Sequence, residues 1–67
     1  IDLDAERARL AKEATRIEGE ILKVTRKLDN ADFIARAKPE VVEENRDRLT
    51  SFQSDLARLK AALGRLA

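Results

Sequence analysis

Cations and carboxylates are almost the only reactive side chains in this 67-residue sequence: 14 Lys and Arg stand against 13 Asp and Glu, with no Cys and no His. The commonest general base and metal ligand is therefore missing, and so is any thiolate nucleophile or disulfide framework. Thr15, Thr25, Thr50, Ser51 and Ser54 carry hydroxyls, but they fall on helical stretches with no His or Cys to activate them. No glycine-rich phosphate loop is present. Glu43, Glu44 and Asp47 are the nearest approach to a metal cluster, yet near the start of a helix they read as a solvated acidic face that complements the macrodipole. No catalytic residue, cofactor or metal is expected. What remains is the arrangement of the charges themselves.

That arrangement depends on two helices. Apolar residues recur alternately three and four apart at Leu3, Leu10, Ala14, Ile17, Ile21, Val24 and Leu28, with Arg7 in the one polar slot. A second seam runs through Val42, Asn45, Leu49, Phe52, Leu56, Leu59, Leu63 and Leu66. This is heptad spacing, with Arg7, Ala14, Ile21 and Leu28 at a of the first helix and Val42, Leu49, Leu56 and Leu63 at a of the second. Charged residues at 40% and aromatics at 3% fit a thin aliphatic seam. The expected fold is all-α, a two-helix antiparallel coiled-coil hairpin forming a single arm over residues 1–67. Helix 1 is expected over about 3–29, a tip loop over about 30–38 and helix 2 over about 39–66. Asp2, or else Asp4, suits the first N-cap, Asn30 reads as a stop, and Pro39 suits the first position of a helix. Of two registers one heptad apart, the one placing Ala14 opposite Phe52 and Leu10 opposite Leu56 sets small against large. It also brings Glu18 toward Arg46 and Asp4 toward Lys60.

On this scaffold Arg9, Arg16 and Lys23 share heptad position c while Lys12 and Arg26 share f, forming a basic ladder on the face away from the seam. Such a stripe can track phosphates. It can also be a solvated back face, neutralised by pairs such as Arg9 with Glu13 and Arg16 with Glu20. At the tip, Arg26 and Lys27 end helix 1, Arg36 and Lys38 lie in the connection, and Arg46 and Arg48 follow close by. Phe33 and Ile34 are expected to fold over the seam end near Leu28 and Val42. The alternative for Phe33 is a platform on which a base stacks.

The stretch Leu28 to Leu49, LDNADFIARAKPEVVEENRDRL, preceded by IDLDAERARL, resembles the C-terminal arm of bacterial valyl-tRNA synthetases. The matching positions are Leu28, Asn30, Phe33, Ile34, Arg36, Ala37, Pro39, Val41, Val42, Glu43, Arg46 and Leu49. Lys38 departs from the proline often found in the family, and Asn45 from a common acid. The resemblance implies a piece of a cytoplasmic enzyme that uses ATP to join valine to its tRNA, with catalysis in upstream domains. The arm would hold the outer corner of the tRNA by shape and backbone contacts. Its expected partners are tRNA and the rest of the parent synthetase, with no membrane, and the isolated fragment is expected to be monomeric. The charge phase nominates Arg9, Lys12, Arg16, Lys23, Arg26, Lys27, Arg36, Lys38, Arg46 and Arg48 as tRNA contacts. The rival reading is a structural or protein-interaction coiled coil, for which Leu22 and Val41 supply apolar side chains off the seam.

Overall fold

The first four amides of a helix have no partner within it, and a short carboxylate just outside can supply one. Asp2 does so. In the computed structural model, which describes residues 2–67, its Oδ1 accepts from the Asp4 N–H at 3.0 Å and the Ala5 N–H at 3.1 Å. Helix α1 then runs Leu3–Asp29. Helix α3 runs Pro39–Leu66. Proline at its first turn has no amide to leave unpaired, and Lys38 precedes it without a side-chain cap.

The segment expected as a tip loop is itself helical. Ala31–Arg36 forms α2, and Asn30 serves both neighbours. Its extended backbone (φ −84°, ψ 110°) stops α1, while its Oδ1 accepts from the Asp32 N–H at 2.9 Å and the Phe33 N–H at 3.2 Å. A residue read only as a terminator is therefore also an initiator.

Leu10, Ala14, Ile17, Val24 and Val42 are buried, together with Asn45. They lie where α1 and α3 pack along each other, in a rod of 50 × 14 × 13 Å. Leu3, placed on the seam by spacing, is 50% exposed because it stands at the open end. Arg7, the polar residue in the first seam, turns its guanidinium onto the end of α3, donating from Nε to the Leu66 carbonyl at 2.8 Å. That carbonyl belongs to the last turn, where acceptors lack helical partners and the macrodipole favours a cation.

This contact corrects the register. With Ala14 opposite Phe52, Arg7 would lie level with Leu59, and Leu56 would face Leu10. Instead Leu56 lines one groove with Glu18, Gly19, Ile21, Leu22 and Thr25, and Ile17 shares another with Asp55 and Leu59. Leu10 and Ile21 are eleven positions apart, about 16 Å along a helix, so Leu56 cannot serve both. The seam is displaced by one heptad, with Arg7 level with Leu66 and Ala14 level with Leu59. The ion pairs that favoured the other register are absent among the described residues: Asp4 pairs with Arg7, and Arg46 pairs with Glu43. Exposed pairs contribute under about 1 kcal/mol each, too little to outweigh a seam.

Asn45 sits inside that seam at 6% exposure. Its Nδ2 donates to the Val41 carbonyl at 2.8 Å, but Oδ1 has no partner. Leaving a buried acceptor unsatisfied costs about 1–3 kcal/mol. Asn45→Leu is thus expected to raise the thermal unfolding midpoint, by a stabilisation of about 1–3 kcal/mol, whereas a fall would mean that Oδ1 is satisfied. Gly19 has nothing within 4 Å of where a Cβ would stand. Gly19→Ala is accordingly expected to stabilise by about 1 kcal/mol, measured in the same melts.

Candidate nucleic-acid interface

A phosphate-binding surface needs cations that are not already committed to carboxylates. By that criterion the predicted contacts divide into two groups. Along the shaft of α1, Arg9 pairs with Glu6, Arg16 with Glu13 and Lys23 with Glu20, each with the acid three residues before it. The pairs expected four residues apart, Arg9 with Glu13 and Arg16 with Glu20, are not the ones formed. Both spacings bring side chains together on a helix, but Glu6, Glu13 and Glu20 flank the seam and are half-buried, so each acid is held in place while the longer cation folds back over it. Arg58 clasps Asp55 in the same way on α3.

The acids feel their partners. The hydrogen bond from Arg9 holds the Glu6 carboxyl below the ordinary 4.5, against an opposing desolvation and aided by the Arg9 charge. Glu13 is lowered by Arg16 in the same way, with Arg9 adding charge from the turn before. Arg9 and Arg16 are raised in turn, first by those same hydrogen bonds. Asp55 adds to the field on Arg16 across the seam. Glu13, Arg16, Asp55 and Arg58 thus gather with Ile17 and Leu59 around one groove as two clamped pairs, and the like-charged carboxylates that the seam brings together are each neutralised locally.

The tip differs. Among the described residues Arg26, Lys27, Arg36, Lys38 and Arg48 form no ion pair, while Arg46 is paired to Glu43. All five unpaired cations are exposed. Arg26 and Lys27 lie in the last turn of α1 and Arg36 in the last turn of α2, while Lys38 flanks the start of α3. Of the tip acids, Asp32 and Glu40 occupy the first turns of α2 and α3, where helix N-termini favour negative charge, while Asp29 ends α1. Away from the tip, Lys12, Lys60 and Arg65 also lack ion pairs, but they are scattered.

Phe33 is half-buried and lines a shallow groove with Asn30, Asp32, Arg36 and Ala37. Ile34, expected to fold over the seam beside it, is 37% exposed, as is Val41. Ile34 thus keeps about a third of its surface open to water within α2. The tip therefore combines unpaired cations with partly open apolar side chains. Leu22 is 51% exposed on the shaft. Among the described residues no group of three His, Cys, Asp or Glu is gathered to hold a metal, and no helix is long and apolar enough to cross a membrane.

Comparison with known proteins identifies what such an arm belongs to. A family model described as the valyl tRNA synthetase tRNA binding arm matches residues 2–67. A valine–tRNA ligase of Gluconobacter oxydans is 91% identical over 67 residues, all of this chain and 8% of that protein. Valine–tRNA ligases of Granulibacter bethesdensis and Caulobacter vibrioides are 67% and 58% identical, over 98% and 100% of the chain and 7% of each protein. The chain thus spans less than a tenth of the length of these relatives. No solved structure matches it.

The pairing is open to direct measurement. Because the folded-state pKa of Glu6 and Glu13 is depressed, their contribution to stability is complete above the unfolded-state value and is lost as pH falls through the folded one. Carboxyl NMR titration is expected to give both groups midpoints below 4.5. Arg9→Gln should return Glu6 upward, and an unmoved midpoint would deny the pair.

Proposed function

The chain belongs to the valyl-tRNA synthetase tRNA-binding arm family, and from that premise we propose that residues 1–67 form one antiparallel coiled-coil arm whose tip grips the outer corner of tRNA. The reverse order of meetings, Arg7 bonded to Leu66 while Ile21 shares a groove with Leu56, supports the antiparallel hairpin. The arm performs no chemistry. The parent synthetase, a cytoplasmic enzyme, joins valine to its tRNA with ATP in domains outside this segment, and the arm works as a monomeric strut with tRNA and that parent as partners.

One observation carries the placement of the grip: Arg9, Arg16 and Lys23 on the shaft are clamped by glutamates, whereas Arg26, Lys27, Arg36 and Lys38 form no ion pair among the described residues and cluster at the tip. Lys and Arg that neutralise phosphates release condensed counterions, so each contact supplies affinity and salt dependence. Such contacts position a nucleic acid without reading its bases. Arg48, unpaired one turn beyond Asn45, extends the surface along α3, while Arg46 engages only by leaving Glu43. Arg9, Arg16 and Lys23 are demoted as contacts for the same reason. Lys12 stands alone on the shaft.

Reversing Arg26, Lys27, Arg36 and Lys38 to Glu in the full enzyme is expected to impair tRNA charging while valine activation, measured by pyrophosphate exchange without tRNA, is unchanged. The deficit should lie mostly in KM for tRNA, because contacts made equally in ground and transition states affect binding alone. The log–log salt slope of tRNA binding should flatten by about one unit per lost contact. Charging that survives the reversal with its salt dependence intact would favour a protein-interaction coiled coil instead.

A further inference from the structure

The heptad position that holds Glu6, Glu13 and Glu20 holds Lys27 one repeat later. Three successive heptads of acid thus give way to a cation where the tip begins. Each glutamate is half-buried beside the seam and pairs with the basic residue three positions on, Arg9, Arg16 or Lys23. The residue three positions after Lys27 is Asn30, the cap between α1 and α2. The column and its partners therefore end together, at the boundary between the two charge environments.

A helix about 40 Å long with a continuous basic stripe would be a generic RNA-binding surface, since phosphate contacts are indifferent to sequence. A tip meant to engage one corner of one fold would then compete with its own shaft. We propose that Glu6, Glu13 and Glu20 are specificity-determining guards: they occupy Arg9, Arg16 and Lys23, keep RNA phosphates off the shaft and confine binding to the tip. This rests on the tip being the tRNA grip, but the guards are tested separately from it. The matching Asp55–Arg58 clasp on α3 extends the same device across the seam, where Glu13 and Asp55 share a groove.

The mechanism is competition between carboxylate and phosphate for one cation. A glutamate tethered three residues away meets its partner without the entropy of association, so an RNA phosphate must displace it before counterion release contributes. Glutamine keeps the size and nearly the helix propensity of glutamate while removing the charge that competes.

The test uses the full synthetase with the four tip cations neutralised to Gln, so that gains on the shaft are not masked by the tip. Into it is placed Glu6→Gln with Glu13→Gln and Glu20→Gln. The probe is a plain RNA duplex lacking any tRNA corner. Removal of the guards should raise duplex affinity at least tenfold at low salt and steepen the log–log salt slope by about 0.7–0.9 per uncovered cation, about two to three units in all. A charge-matched control, Glu18→Gln with Glu44→Gln and Asp47→Asn, alters three acids that form no ion pair among the described residues. It should change the slope by much less. An equal gain from the control would overturn the proposal in favour of net charge, and no gain from the guard variant would overturn it outright. In the enzyme with an intact tip, the guard variant should also charge tRNA less well in the presence of excess duplex, with equal competition in both enzymes counting against the proposal. If instead the tip substitutions leave tRNA binding untouched while the guard substitutions still recruit duplex, the grip has been misplaced and the guards stand.

Discussion

Everything in this arm follows from having only one interface to bury. Two helices laid along each other conceal a single seam, and among the described residues five apolar side chains and one asparagine are buried. A core so thin leaves most of the described side chains within reach of water. The same geometry gives the arm its length. Its 50 Å extent is achieved with under seventy residues, because almost the whole chain is spent on the two strips that face each other.

The charges are governed by the same constraint. Positions flanking a seam are brought near their counterparts on the other helix, and Glu13 and Asp55 consequently share a groove. The repulsion is relieved within each helix rather than between helices, by Arg16 and Arg58 folding back over their own acids. Ion pairing in this arm is local at every instance among the described residues. The seam therefore receives its specificity from shape and from the two polar residues within it, Arg7 and Asn45.

How far the sequence speaks for itself varies with the range of the interaction. The helices were legible because a period sustained over four heptads outweighs any single residue, and the charge phase of Arg9, Arg16 and Lys23 followed from it. The register was not legible. Shifts of one heptad preserve every a-to-d match, so the choice fell to size complementarity and to exposed ion pairs too weak to decide it. What distinguishes the registers is Arg7 reaching the carbonyl of Leu66, a contact between residues 59 positions apart. Helix α2 escaped for a different reason. Six residues are too few to display a period, and the dual use of Asn30 as stop and cap is written in the same letter. Among the ten candidate contacts, the sequence could not separate clamped from free, because neighbours three and four residues away compete equally until a backbone is drawn.

The clasp between Arg7 and the end of α3 has a mechanical consequence. It ties the two helices at the end farthest from the tip, with α1 and α3 thereafter guided by the seam alone. A slender beam held in this manner converts a small angular error at its root into a large displacement at its point. Stiffness near Arg7 and Leu66, rather than anything at the tip itself, then governs how accurately the distant cations are aimed.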